Sequence, residues 1–150
     1  MLTEMLTNHP LDPSMGTVCV IDGDRGVRQS LRTLLSTLHV RVLTFPTAEE
    51  YLEGENVDRV TCLITETSLP GMGGLELVRT LRERGVLLPV IALTVEVNPR
   101  MTAEAERLGV LELVEKPFVY WTVLQRVQEA LQTSRPTGNP PVSPLTGSQR

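Results

Sequence analysis

Read for apolar periodicity, the chain alternates short continuous apolar runs with amphipathic stretches from Thr17 onward. Residues 17–21 (Thr-Val-Cys-Val-Ile) predict a strand. Residues 25–38 predict a helix, because Val27, Leu31, Leu34, Leu35 and Leu38 fall on one face. A second run at residues 40–45 leads into a short helix with Ala48, Tyr51 and Leu52 inward. There Thr47 is the expected N-cap, with Glu50 three residues on as a capping box. Residues 60–65 predict the third strand, followed by a Pro-Gly-rich loop and a helix that turns Leu75, Val78 and Leu81 inward. Residues 89–94 predict the fourth strand, and Met101, Ala105 and Leu108 mark the helix after it at i, i+4 and i+7. Residues 110–114 predict the fifth strand. A last helix over residues 119–131 carries Tyr120, Val123, Leu124, Val127, Ala130 and Leu131 on one stripe.

Strands that are apolar throughout, rather than alternating, are those buried on both faces of a parallel sheet. Five of them separated by helices predict an α/β, doubly wound, five-stranded parallel sheet with helices on both faces. One domain over residues 16–132 accounts for all of these elements. The flanks differ: residues 1–15 and 133–150 are rich in Pro, Ser, Thr, Gly and Asn with little to bury, and are expected to be a flexible leader and a disordered tail.

Composition narrows the function without supplying one. The chain is 41% hydrophobic and 21% charged, with only 3% aromatic residues, so Leu and Val must fill the core. A net charge of -4 without a Lys/Arg cluster argues against nucleic acid as a partner. No stretch approaches the roughly 18 apolar residues of a membrane span, and the N-terminus lacks the basic and apolar regions of a signal peptide. A cytoplasmic location and no membrane association are therefore expected. Cys19 and Cys62 each lie within an apolar strand and read as small core hydrophobes.

Ligands of doubly wound sheets bind beyond the carboxyl ends of the strands. Those ends hold Asp22-Gly23-Asp24 after the first strand, Glu66 after the third, Thr94 at the end of the fourth and Lys116-Pro117-Phe118 after the fifth. Carboxylates suit a hard divalent cation, lysine suits a phosphoryl oxygen, and a threonine hydroxyl donates to another. The inventory is that of phosphoryl transfer.

These residues and their order resemble the receiver domain of bacterial response regulators. The likeness lies in residues 18–22 with 27–31, in Leu69-Pro-Gly-Met-Gly-Gly-Leu-Glu-Leu77, in residues 89–94 and in residues 115–118, and runs over residues 17–131. It implies the sheet order 2-1-3-4-5, a Mg²⁺-assisted transfer of phosphate from a histidine kinase to an aspartate ending the third strand, and a threonine and lysine that bind the phosphoryl group. Asp22, Thr94 and Lys116 match that pattern, and Lys116-Pro117 matches the family's cis-proline turn. Three positions depart from it. Gly23 stands where a metal-ligating acid is expected, Glu66 where the acceptor aspartate is expected, and Leu113 where an aromatic switch residue is usual.

The departures imply a degenerate phosphorylation site, weak Mg²⁺ binding at Asp22 and no other cofactor. A glutamate displaces the nucleophilic oxygen by about one methylene, and a misplacement near 1 Å costs on the order of 100-fold in rate. The longer Glu66 carboxylate is instead expected to reach toward Lys116 and Thr94. The chain is therefore expected to be no enzyme but a receiver working by protein–protein interaction, its partner a histidine kinase, another regulator or a second copy. The family's working face would place Trp121, Arg100 and Arg107 at the contact. Trp121 is equally readable as a residue sealing the core edge.

Two other readings stay open. One is a conventional phosphorelay receiver. The other is a haloacid-dehalogenase-like phosphatase, suggested by Asp22-Gly23-Asp24, although Asp24 also reads as the N-cap of the first helix. Ser68 and Glu96 read as solvated loop residues, and His9 and His39 carry no expected role.

Overall fold

A computed structural model describes residues 16–54 and 59–134. The strands are β1 (Thr17–Ile21), β2 (Arg41–Phe45), β3 (Cys62–Glu66), β4 (Val90–Thr94) and β5 (Glu112–Glu115). They form one parallel sheet in the order β2-β1-β3-β4-β5. The helices are α1 (Arg25–Leu35), α2 (Ala48–Glu53), α3 (Gly74–Glu83), α4 (Pro99–Arg107) and α5 (Tyr120–Ser134). The doubly wound parallel architecture expected from the apolar runs is the one observed.

The two-sided burial of the central strands sorts the helices into layers. Val18 and Val20 of β1, with Cys62, Ile64, Ile91 and Leu93, meet Leu31 and Leu35 of α1 and Val123, Leu124 and Val127 of α5. The intervening positions Cys19, Ile21, Leu63 and Val90 pack on the other face against Tyr51 of α2 and Leu77, Val78 and Leu81 of α3. A third, small cluster joins Leu75, Ala92 and Ala105, with Leu113 partly buried against it. The two cysteines thus lie in cores on opposite faces of the sheet, which keeps them from pairing. Burial pushes the Cys62 thiol up to about 12, leaving no thiolate at neutral pH.

Capping side chains define the starts of α1, α2 and α4. Asp24 accepts from the N–H groups of Gly26 and Val27, Thr47 from Glu50 N, and Asn98 from Met101 N with Pro99 in the first turn. At their carboxyl ends, α3 and α4 finish in the same way. Val86 N donates to Leu81 O and Gly85 N to Arg82 O; Val110 N donates to Ala105 O and Gly109 N to Glu106 O. Gly85 and Gly109 have φ of +82° and +73°, the left-handed conformation that such a termination needs.

The third strand is Cys62–Glu66 rather than residues 60–65, other ends move by a single residue, and three further differences have a local account or extend the domain. The fifth strand is Glu112–Glu115 rather than residues 110–114, because Val110 is spent on terminating α4 and Leu111 turns outward. The first helix stops at Leu35 and tightens into a 3-10 turn over Ser36–Leu38, where the Ser36 and Thr37 hydroxyls donate to backbone carbonyls. Helix α5 continues to Ser134, two residues beyond the expected domain limit. The expected flexible leader and, but for Thr133 and Ser134, the expected tail lie outside the described residues, as does His9. Among the described residues no helix is long and apolar enough to cross a membrane.

Candidate functional site

The chain order reverses between β1 and β3: from β1 it moves outward to β2, then returns to β3 and proceeds the other way. Side chains at the carboxyl ends of these two strands therefore face one crevice. Asp22 follows β1 directly, its N–H donating to Phe45 O of β2 at 3.1 Å and its carbonyl accepting from the Arg28 guanidinium at 2.6 Å. Its side chain is completely buried. Glu66 ends β3. Helix α3 starts hard against the backbone there, with Gly74 N donating to Thr67 O, and a Cβ on Gly74 would lie 2.0 Å from Glu66 O. Only glycine lets the helix begin that close to the strand end. Lys116 is placed by its own N–H, which donates to Thr94 O at 2.7 Å beyond the end of β4, and the cis Lys116–Pro117 bond follows.

These elements bring three charged groups together. The Lys116 ammonium lies 3.0 Å from Glu66 Oε2, as a hydrogen bond, and 2.8 Å from Asp22 Oδ2. The Asp22 contact is an ion pair off the hydrogen-bonding direction, so Oδ2 has no aligned donor. The other oxygen of each carboxylate takes a backbone N–H: Gly23 N donates to Glu66 Oε1 at 3.1 Å and Asp24 N to Asp22 Oδ1 at 2.8 Å. Thr94 is buried at the same edge but does not join. Its hydroxyl donates to Glu96 O at 3.2 Å and accepts from Glu96 N, closing the β4–α4 loop on itself. The expected reach of Glu66 thus meets Lys116 and not Thr94.

The charges act on one another's protonation. Burial raises the Asp22 carboxyl above its ordinary range; Lys116 and the Asp24 N–H pull it back, and the neighbouring Glu66 adds to the rise. For Lys116, burial works against the charged form, but the Asp22 and Glu66 carboxylates outweigh it and raise the ammonium above its ordinary 10.5. The two directions are compatible. One ammonium serves two carboxylates, and the wholly buried carboxylate bears the larger desolvation.

Tested against Mg²⁺, the donor set falls short. Mg²⁺ demands near-octahedral oxygen coordination at about 2.0–2.1 Å. One or two carboxylates with water can hold it, but here an ammonium already lies between the Asp22 and Glu66 carboxylates, and Gly23 presents an N–H rather than an acid. Asp24 turns one carboxylate oxygen, Oδ1, to the start of α1, the N-cap role also read for it. Among the described residues no group of three or more His, Cys, Asp or Glu is arranged to hold a metal ion. Mg²⁺ does not fit these residues as they stand.

The remaining expected residues lie away from this crevice. Leu113 is half-buried in β5 beneath α4. Arg100 and Arg107, exposed at the two ends of α4, are seven residues apart and so share a face. Trp121, in the first turn of α5, is 58% exposed, so more of the indole faces outward than inward. Ser68 and Glu96 are exposed, as expected of loop residues. Sequence reasoning gave Arg28 and Glu49 no role, and read Gly74 only as part of the turn into the third helix. Glu49 Oε2 accepts from Met72 N at 2.8 Å and would be 2.5 Å from a Cβ on Gly71, so α2 pins the β3–α3 loop. The signal for Gly74 was present as three glycines within four residues; Arg28 and Glu49 carried none.

Comparison with known proteins gives a consistent picture. The family model of the response regulator receiver domain matches residues 18–128. Among curated relatives, the transcriptional regulatory protein FixJ of Azorhizobium caulinodans is 35% identical over 127 residues, 84% of this chain and 60% of its own. The transcriptional regulatory protein TdiR of Thauera aromatica is 32% identical over 119 residues, 79% of this chain and 52% of its own. This chain spans only about half to three-fifths of the length of these relatives. A response regulator receiver protein from Pseudoalteromonas atlantica superposes with a TM-score of 0.73 at 28% identity, covering 79% of this chain and 98% of that one.

Proposed function

This chain belongs to the response regulator receiver domain family, the two-component signalling module that interacts with histidine kinases and other proteins, and on that premise we propose that it signals without cycling through phosphorylation. The observation that carries the proposal is the engagement of both Glu66 oxygens, one by the Lys116 ammonium and one by Gly23 N–H. A carboxylate held by two donors is a poor nucleophile, and it fills the place from which an incoming phosphoryl oxygen would draw the same donors. In this reading the domain rests in one state and works by binding a protein through the side built from α4, β5 and α5. Trp121, Arg100 and Arg107 are its anchor candidates, aromatic and Arg side chains being the usual carriers of interface energy.

Incubation with acetyl phosphate or phosphoramidate and Mg²⁺, followed by intact-mass spectrometry, tests the proposal. We expect no stoichiometric phosphate adduct on this chain, and an adduct only when Glu66→Asp and Gly23→Asp are combined. An adduct on the unaltered chain that disappears in Glu66→Gln would overturn the proposal in favour of a conventional phosphorelay receiver.

A further inference from the structure

We propose that the Lys116 ammonium, rather than a divalent cation, is the resident counter-ion of the Asp22–Glu66 carboxylate pair, and that Gly23 is the position that keeps it so. The inference rests on the placement of Glu66 described above and concerns what neutralises it, not whether it accepts phosphate.

Each of the four carboxylate oxygens already has a positive partner: Asp22 Oδ1 the Asp24 N–H, Asp22 Oδ2 and Glu66 Oε2 the Lys116 ammonium, and Glu66 Oε1 the Gly23 N–H. A divalent cation close enough to ligate both carboxylates would have to displace Lys116, which lies about 3 Å from each, and dehydrated Mg²⁺ is formed reluctantly. The Gly23 N–H pointing at Oε1 turns a positive dipole end toward the same space. Arg28, bound to Asp22 O at 2.6 Å, adds a second fixed positive charge at the rim. The Thr94 hydroxyl, occupied with its own loop, contributes no oxygen.

Position 23 is the one that would tip this balance, because nothing steric demands glycine there. Gly23 is exposed, is absent from the glycines with positive φ, and a Cβ on it would make only an ordinary contact, 3.7 Å from Glu66 Oε1. A side chain therefore fits without backbone strain, and an aspartate would set a third carboxylate beside Asp22 and Glu66. With one lysine between them, two acids leave one net negative charge and three leave two, so the added aspartate favours a divalent ion.

Mn²⁺, a paramagnetic stand-in for Mg²⁺, provides the probe, with its free concentration read by electron paramagnetic resonance in the presence of the full-length chain. The unaltered chain should show no saturable Mn²⁺ binding below about 1 mM, and its thermal midpoint should move by less than about 1 °C in about 10 mM Mg²⁺. Gly23→Asp should gain saturable binding, competed by Mg²⁺ and at least about tenfold tighter, and should melt later when Mg²⁺ is added. Saturable submillimolar binding by the unaltered chain, lost in Asp22→Asn, would overturn the proposal. So would a folded Gly23→Asp chain that gains no Mn²⁺ binding. A chain that binds Mn²⁺ yet takes up no phosphate would sink this inference and leave the proposed function standing.

Discussion

Strand β4 buries all five of its residues, whereas β5, hydrogen-bonded to it along its length, buries only Val114. The helices over them differ in the same sense. Helix α3 sinks Leu75, Leu77, Val78 and Leu81 into the core, while α4 buries Ala105 alone. Apolar side chains are not scarce at this margin; they are left uncovered. Val95, Val97, Leu111, Val119 and Trp121 are all exposed, on or beside α4, β5 and the start of α5, and Leu87, in the loop between α3 and β4, is exposed as well. A chain that fills its centre with the same residue types has material enough to cover its edge. Exposed apolar residues are material for a partner-binding surface, since a partner can bury what the fold does not. The comparison thus divides the molecule into a centre that supplies stability and a margin whose apolar surface the proposed contact would use.

The sharpest way to break that division is to remove the same kind of side chain from each part. Ile91→Ala, in wholly buried β4, should cost about 2–5 kcal/mol of unfolding free energy, the usual range for emptying a packed aliphatic site. Leu113→Ala, on the neighbouring strand but half-buried over a small cluster, should cost clearly less. Urea unfolding of both variants measures the difference. Equal losses would mean that α4 and β5 are as firmly packed as the centre, and the division would fail.

The same division explains what the sequence disclosed. The central strands are buried on both faces, so Val, Ile and Leu crowd into unbroken runs, and β1 and β4 were legible almost to the residue. At β5 the apolar run begins two residues before the strand, because Val110 serves the left-handed termination of α4 at Gly109 and periodicity does not distinguish a helix-ending valine from a strand-opening one. Within the site, the acids and Lys116 were legible because strand ends in this architecture converge. The partition of hydrogen bonds was not. Whether the Thr94 hydroxyl turns to Glu66 or to Glu96 O depends on loop geometry that no residue type announces. Nor did the glycines say which of them is required by contact: Gly74 admits α3 against Glu66 O, whereas Gly73 next to it meets nothing closer than 3.2 Å.

A smaller effect, seated at the carboxyl edge of the sheet, comes from pH. The Lys116 ammonium is raised in the folded state, so its contribution to stability is complete below its ordinary value of 10.5 and is lost as pH climbs above that through the folded value. Asp22, also raised, acts in a different window: its contribution is complete below an ordinary 3.8 and fades as pH rises above that. Unfolding free energy measured at alkaline pH should therefore fall more steeply for the unaltered chain than for Lys116→Met, which has no ammonium to lose. Parallel slopes would show that the pairing with Asp22 and Glu66 does not favour the folded state.

The smallest effect on stability, and the one that most directly tests the role given to the margin, is expected of Trp121→Ala. The indole is 58% exposed in the first turn of α5, while the stripe that holds the helix to the sheet is Val123, Leu124, Val127 and Ala130. Truncating it removes little buried surface, so the unfolding free energy should stay within about 0.5 kcal/mol of the parent. At an interface the same truncation removes a large rigid anchor, and association through α4, β5 and α5 should weaken by about 1–3 kcal/mol. Sedimentation over a concentration series reads this for pairing with a second copy, and denaturant unfolding of both proteins supplies the control. A stability loss as large as that of Ile91→Ala would return Trp121 to the core. Equal self-association of parent and variant would remove Trp121 from any contact between copies.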